Sequence, residues 1–289
     1  MNKRLLLLGA NGLLGKVFVS EFHRRGITAH CLDRSACDVT DAAQVSFVFD
    51  RFAPEIAINC TAYTKVDLAE KEPDQAFAIN GTALANLARS AAAHRTRLVH
   101  FSTDFVFDGK SHTTYQPDDA TAPMSVYGES KLRGETLLRE IDPPGWMIAR
   151  TSWLYGTTGP CFPRTILDRA RKGQPLKIVN DQIGSPTYAP DLALATLDLL
   201  ERGSSGIRHL TNSGKCSWFE FAQAIVAEFG IKGDISPTTT AEFLQMRPEQ
   251  ARRPAYSVMA DSELAGLLGR PMRPWKEALA DYRAASLPA

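Results

Sequence analysis

Lys3-Arg4-Leu5-Leu6-Leu7-Leu8-Gly9-Ala10-Asn11-Gly12-Leu13-Leu14-Gly15-Lys16-Val17-Phe18 decides the architecture of this chain. Four consecutive leucines read as a short strand buried on both faces. A glycine-rich turn follows at once, and then an apolar pattern of helical period. Strand, glycine turn and helix in that order form the context that a dinucleotide-binding turn requires. The spacing is G-x-x-G-x-x-G. Gly9 would permit the tight turn, Gly12 would let the backbone approach a pyrophosphate, and Gly15 would let the helix pack on the sheet. The helix N-terminus adds free N–H groups and a positive dipole end.

Working outward, the first half alternates strands and helices. Strands are expected at 28–32, 55–60, 97–102 and 146–151, and helices at 12–25, 42–52, 74–93 and beyond Tyr127. Val45, Val48, Phe49 and Phe52 share one face of the second helix. Such alternation implies an α/β fold of Rossmann type, with a doubly wound parallel sheet covered on both faces. Ligands of these sheets sit beyond the carboxyl ends of the strands. Gly9, Asp33, Cys60-Thr61-Ala62, Ser102-Thr103 and Thr151-Ser152-Trp153 fall at such ends and should line one crevice.

The second half is less regular and richer in proline and glycine. Helices are expected at 165–171, 190–200, 218–229 and 274–282, strands at 176–179 and 209–212, and a loop at 180–187. The expected division is a dinucleotide-binding domain at 1–155, which also receives a later strand and helix near 176–200. Residues 156–289 then form a smaller α/β substrate-binding lobe interleaved with it.

The chain has 289 residues, enough for one large or two modest domains, and 44% are hydrophobic, as a packed globular protein needs. A formal charge of +1 gives no electrostatic case for nucleic acid or an anionic membrane. No apolar stretch approaches bilayer-spanning length, and the leucine run is too short for a signal-peptide core. Cys31, Cys37, Cys60, Cys161 and Cys216 are odd in number and form no C-x-x-C pair, so a reduced, cytoplasmic setting is expected.

Thr103 stands just past an apolar run, and Tyr127 and Lys131 are spaced i, i+4, on one face of a helix. An ammonium close to a phenol favours phenolate, and a tyrosine tuned in this way can exchange a proton near neutral pH. Asp33, at the end of the second strand, suits a ribose 2′-hydroxyl and NAD, whereas Arg34 beside it suits a 2′-phosphate and NADP.

Taken together, the glycine turn and the Thr103, Tyr127, Lys131 triad resemble the extended short-chain dehydrogenase/reductase family. Within it the chain is most similar to the dTDP-4-dehydrorhamnose reductases. Several further segments carry the likeness: 59–70, 102–109, Arg150-Thr151-Ser152-Trp153-Leu154-Tyr155-Gly156, 180–187 and Arg253-Pro254. It extends from residue 3 to about 283.

The resemblance implies hydride transfer from NADPH, with NADH as the alternative donor, to C4 of a dTDP-4-keto-6-deoxy sugar. Tyr127 would protonate the alkoxide, Lys131 would hold Tyr127 in its acidic range and bond the nicotinamide ribose, and Thr103 would bond the substrate oxygen. Cofactor contacts would fall on Gly9, Asn11, Gly12, Leu13, Leu14, Gly15, Asp33, Arg34, Asp38, Val39, Cys60, Thr61 and Ala62, with Tyr127 and Lys131. Substrate contacts would fall on Thr64, Val66, Thr103, Asp104, Phe105, Trp153, Asn180, Gln182, Thr187 and Arg253. The product would be dTDP-L-rhamnose or a close relative, used in cell-surface polysaccharide.

Two departures stand out. Val17 and Pro190 occupy places where some members carry metal-binding glutamates, which argues for a monomer or weak homodimer without a bridging metal. Phe105 stands where tyrosine is frequent. Phe105 also cannot supply the second acid that related dehydratases need after Thr-Asp. Other readings are a 4-epimerase, a reductase of another dTDP-4-keto sugar, or a non-catalytic dinucleotide-binding subunit like that of methionine adenosyltransferase.

Overall fold

In the computed structural model, which describes residues 3–286, the leucine run forms strand β1 (Leu5–Leu8), and all four side chains are buried. Alternate residues of a strand point to opposite faces. Leu5 and Leu7 enter one core with Phe18, Phe22, Leu192 and Leu197. Leu6 and Leu8 enter the other with Val45, Val48, Phe49 and Leu87. No position of β1 faces water, so no polar residue interrupts it. Each fully buried leucine contributes about 1.5–3 kcal/mol, which makes this strand the shared centre of both layers.

Strands β2 (Ala29–Leu32), β3 (Ile56–Asn59), β4 (Arg97–Thr103) and β5 (Met147–Thr151), with the strand Gly206–His209, complete a six-stranded sheet. All its pairings are parallel. The spatial order is Gly206–His209, β5, β4, β3, β1, β2. The chain moves outward from β1 to β2 and then returns to β3 on the opposite side. At that reversal a crevice opens beyond the strand ends. Helix α1 (Leu13–Arg24) and the helix Ala189–Glu201 cover one face. Helix α2 (Ala42–Phe52) and the helices Ala83–Ala93 and Val126–Ile141 cover the other.

A third core, rich in aromatic rings, gathers Tyr155, Tyr188, Phe221, Trp275 and Tyr282. Here the strand expected near 176 departs from the sequence reading. Leu176–Val179 pairs with Ile235–Thr238 and does not join the large sheet. The late strand that does join is Gly206–His209, which lies earlier than the expected 209–212. Asn212 is drawn elsewhere: its amide donates to Asp191 at 2.7 Å and accepts the Tyr188 N–H at 2.8 Å. The elements Ile235–Thr238, Thr240–Met246 and Leu264–Leu268 carried no strong periodic signal.

The expected helix 74–93 is interrupted. Pro73–Phe77 leads into a π-turn at Ala78–Thr82 before Ala83–Ala93 resumes. Asn80 explains the interruption. Its Oδ1 accepts the Tyr63 N–H at 2.9 Å, and its Nδ2 donates to the Tyr63 carbonyl at 3.1 Å and to Ser130 Oγ at 2.9 Å. A buried amide must find partners, and widening the helix by one residue aims it at them.

Candidate active site

Gly9 begins the cradle at the end of β1, with φ +80°. A Cβ there would lie 2.9 Å from the Cys60 carbonyl carbon and from the Thr61 nitrogen. A Cβ on Gly15 would lie 2.1 Å from the Gly9 oxygen. The turn therefore requires glycine at both positions, one for its φ and one for close helix packing. Gly12 caps α1 without a side chain, and the first turn holds no acid. Its N–H groups and positive end are thus left for an anion. The cavity in front is about 260 Å³ and is lined by Gly9, Asn11, Gly12, Asp33, Arg34, Asp38, Val39, Cys60, Thr61 and Ala62. Cys37, Thr40 and Ile79, not expected from sequence, also line it. Leu14 and Gly15 turn into the core and the turn beneath, while Leu13 packs beside Gly156.

Asp33 is heavily engaged. Its Oδ1 accepts from the Ser35 hydroxyl at 2.6 Å, the Ser35 N–H at 2.9 Å and the Ala36 N–H at 3.2 Å. Its Oδ2 accepts from Asn11 at 2.5 Å. The Ser35 hydroxyl leads the groups that hold this carboxyl below its ordinary range. Little acceptor capacity remains for a ribose diol. Arg34 is largely exposed, 3.6 Å from Asp38. Asp38 caps its own turn through Thr40, and the cap of α2 is Asp41.

Close packing at two glycines sets the helix Val126–Ile141. A Cβ on Gly128 would meet the Phe105 oxygen at 2.3 Å, and one on Gly134 the Asn80 oxygen at 2.2 Å. The π-turn and the turn after β4 therefore seat this helix directly. Ser125 caps it by accepting the Gly128 N–H. Tyr127 lies half-buried on its first turn, with Phe105 edge-on at 5.4 Å between ring centres.

Withdrawal from water pushes the Tyr127 phenol up to about 12; the Thr103 hydroxyl opposes this and the Asp104 charge adds to it. The lowering expected from Lys131 is not produced here. Lys131 is buried and turns to the sheet, donating to the Phe101 carbonyl at 2.6 Å and standing 3.0 Å from His100 Nε2. Thr103 Oγ1 accepts the Phe105 N–H at 3.2 Å and donates to Asp104 Oδ1 at 3.1 Å.

Beyond this, Trp153 adopts φ +48°, a strained value for a large side chain. Its indole stacks on Trp218 at 3.6 Å and 10°. A Cβ on Gly184 would lie 2.6 Å from its ring. The half-buried indole is thus held between Trp218 and Gly184.

The profile of the RmlD substrate binding domain matches residues 3–287. The spore coat polysaccharide biosynthesis protein SpsK of Bacillus subtilis is 40% identical over 279 residues, 96% of each chain. The dTDP-4-dehydrorhamnose reductase of Mycolicibacterium smegmatis is 37% identical over 291 residues, 99% of this chain and 86% of that one. The crystal structure of dTDP-4-dehydrorhamnose reductase from Bacillus anthracis, in complex with NADP, superposes with a TM-score of 0.93 at 37% identity, covering 99% of this chain and 100% of that one. The chain belongs to the RmlD family of dTDP-4-dehydrorhamnose reductases.

In this RmlD-family chain the expected substrate contacts divide into two groups. Thr64 and Val66 follow β3, exposed and half-buried respectively. Arg253 pairs with Asp67, distant in sequence, at 2.9 Å. Asn180 is exposed, and its Oδ1 accepts from Ser217 at 2.7 Å. Others are withdrawn. Thr187 is fully buried, with its hydroxyl toward the Ser185 carbonyl. Gln182 is buried and donates to Thr240 at 3.0 Å. Asp104 is 2% exposed and accepts the Ser257 hydroxyl at 2.6 Å. These three serve the framework here, because each finds its partner inside the protein. No spacing in the sequence links Trp218, Asn80 or Ser257 to the triad; each meets its partner only through the fold.

Proposed function

We propose that this protein reduces the C4 ketone of dTDP-4-dehydro-L-rhamnose with NADPH to give dTDP-L-rhamnose, in nucleotide-sugar synthesis for cell-surface polysaccharide. One observation carries the reading: in a chain of this reductase family, Thr103 closes β4 and its hydroxyl acts on the phenol of Tyr127, which stands in the first turn of the helix Val126–Ile141. The cradle suits a dinucleotide, since its glycines carry no side chain there and the first turn of α1 has no side-chain cap where a pyrophosphate would lie. Asp33 is committed to its own turn and Arg34 is exposed beside it, which favours NADPH over NADH.

When bound, NADPH supplies the hydride. Tyr127, protonated at neutral pH, donates its proton to the oxygen at C4. Thr103 holds that oxygen, and Asp104 with Ser257 holds Thr103. Lys131, one turn along the helix from Tyr127, would bond the nicotinamide ribose. Trp153 packs against the sugar. Arg253, already placed by Asp67, suits a diphosphate. The enzyme works in the cytoplasm as a monomer or weak homodimer. Val17 and Pro190 offer no carboxylate for a bridging metal.

The test is NADPH oxidation with dTDP-4-dehydro-L-rhamnose, with the product identified by mass spectrometry. Other dTDP-4-keto-6-deoxy sugars and NADH are run in parallel. Preference for a different sugar redefines the substrate. Absence of turnover across the panel while NADPH still binds defeats the enzymatic reading in favour of a binding role.

A further inference from the structure

Two hydroxyls near the carboxyl ends of the large sheet, those of Ser102 and Thr151, are buried and have no hydrogen-bond partner among the described residues. A buried polar atom left unpaired is destabilising, so folded proteins keep few of them and each calls for a cause. Both flank Thr103. Ser102 precedes it on β4, and Thr151 is its register partner on β5. The alternation of side chains along a strand separates the two. Phe101 and Ala149 enter the core beneath α1, so Thr103 and Thr151 belong to that face. Leu98 and Ile148 enter the opposite core, and Ser102 follows them.

Thr151 therefore stands one strand spacing, about 4.8 Å, from the residue whose hydroxyl acts on the Tyr127 phenol. It also belongs to the side on which α1 begins. Beyond Thr151 the chain runs through Leu154–Tyr155 to Gly156, where a Cβ would lie 3.3 Å from the Leu13 side chain at the start of α1. The end of β5 and the uncapped end of α1 thus border the same ground. Asp33, Arg34 and Asp38 line the cavity on the β2 side of Gly9. A dinucleotide with its adenosine in that cavity and its pyrophosphate at α1 runs on across the ends of β3 and β4 toward β5. From β1 to β5 is three strand spacings, about 14 Å.

We propose that Thr151 is a cofactor-binding residue: its hydroxyl, unpaired within the protein, is kept for the carboxamide of the nicotinamide ring. The proposal rests on the NADPH reading above. A carboxamide carries both donors and an acceptor, and a hydroxyl donates one hydrogen and accepts on two lone pairs, so the two can pair either way. Threonine has more than one accessible χ1 well, and one staggered step turns the hydroxyl toward a ligand. The free protein bears the cost of a bare hydroxyl and the bound cofactor relieves it. A local rule broken without compensation in the free protein is the mark of a functional position. The bond also restrains rotation of the ring about its ribose, beside the residues that hold the sugar ketone.

The test needs no sugar. Thr151→Val keeps the shape and deletes the hydroxyl. Without cofactor it should unfold at a higher urea concentration than the parent. Its NADPH dissociation constant should rise about three- to tenfold, while that for 2′-phospho-ADP-ribose, which lacks the nicotinamide, stays within about twofold. Thr151→Ser keeps the hydroxyl and should bind NADPH as the parent does. Parental NADPH affinity in Thr151→Val overturns the proposal, as does an equal loss for both ligands, which would mean a distorted cradle. A Thr151→Val protein less stable than the parent also overturns it, because the hydroxyl would then have had a partner inside the protein. If the parent binds neither ligand, the dinucleotide reading itself fails and the role of Thr151 falls with it. Parental binding of both ligands that Thr151→Val leaves untouched sinks the role of Thr151 alone.

Discussion

Glu135 and Arg150 form a two-point buried ion pair, with Arg150 Nε donating to Oε1 at 3.0 Å and Nη2 to Oε2 at 2.7 Å. The pair ties the helix that carries Tyr127 and Lys131 to β5. Arg150 also donates to the Pro117 carbonyl at 3.1 Å and lies over the Phe107 ring. Removing one partner strands a charge away from water, at a cost of about 3–5 kcal/mol. Glu135→Ala should lower the unfolding free energy by that amount in denaturant titrations. Glu135→Leu/Arg150→Met should lose less than either single change. A loss under about 1 kcal/mol in Glu135→Ala would mean that the pair is not an anchor.

Tyr127→Phe keeps the ring that meets Phe105 and deletes the donor. The turnover number should fall about a hundred- to ten-thousand-fold. NADPH affinity, read by fluorescence titration, should hardly change. Parental turnover would show that another group supplies the proton.

Burial raises the Asp104 carboxyl from its ordinary 3.8 to about 6, against the opposing bonds from Ser257 and Thr103. The folded protein therefore binds this proton more tightly than the unfolded chain. Stability from this group is greatest below 3.8 and is lost as pH rises through about 6. Asp104→Asn should remove that slope and stabilise the protein at neutral pH relative to the parent, and it should lower turnover because a single amide oxygen no longer accepts from Thr103 and Ser257 on separate oxygens. Unfolding free energies measured across this pH range check the sign. A variant less stable than the parent at neutral pH contradicts it.

Trp218 supports Trp153 from behind. Such stacking contributes about 0.5–1.5 kcal/mol. Trp218→Ala should raise the KM for the sugar nucleotide several-fold and leave the NADPH dissociation constant unchanged. If KM holds in a folded variant, Trp153 is not the sugar's wall.

Much of the fold is legible locally. The leucine run shows a strand with no wet face, and Val45, Val48 and Phe49 show one face of a helix. The glycine spacing marks the turn, because Gly9 and Gly15 answer to backbone geometry within a few residues. Tyr127 and Lys131 are legible as a pair on one helical face. The second half of the chain is harder to read. Ile235–Thr238 and Thr240–Met246 are half-exposed and short, so burial leaves little periodic trace.

By itself, then, the sequence determined the strand–turn–helix start, the alternation that yields a parallel sheet, and the chemistry gathered at the strand ends. Each depends on neighbours within one or two turns of chain. Only the tertiary structure decided where side chains spend their hydrogen bonds. Asn80 opens a π-turn because Tyr63 and Ser130 lie within reach, Arg253 finds Asp67, and Trp153 lies against Trp218. Lys131 faces His100 and the Phe101 carbonyl, not a phenol it would acidify. Those partners are brought together by packing between distant segments, and burial then leaves each polar group to be satisfied by what packing provides.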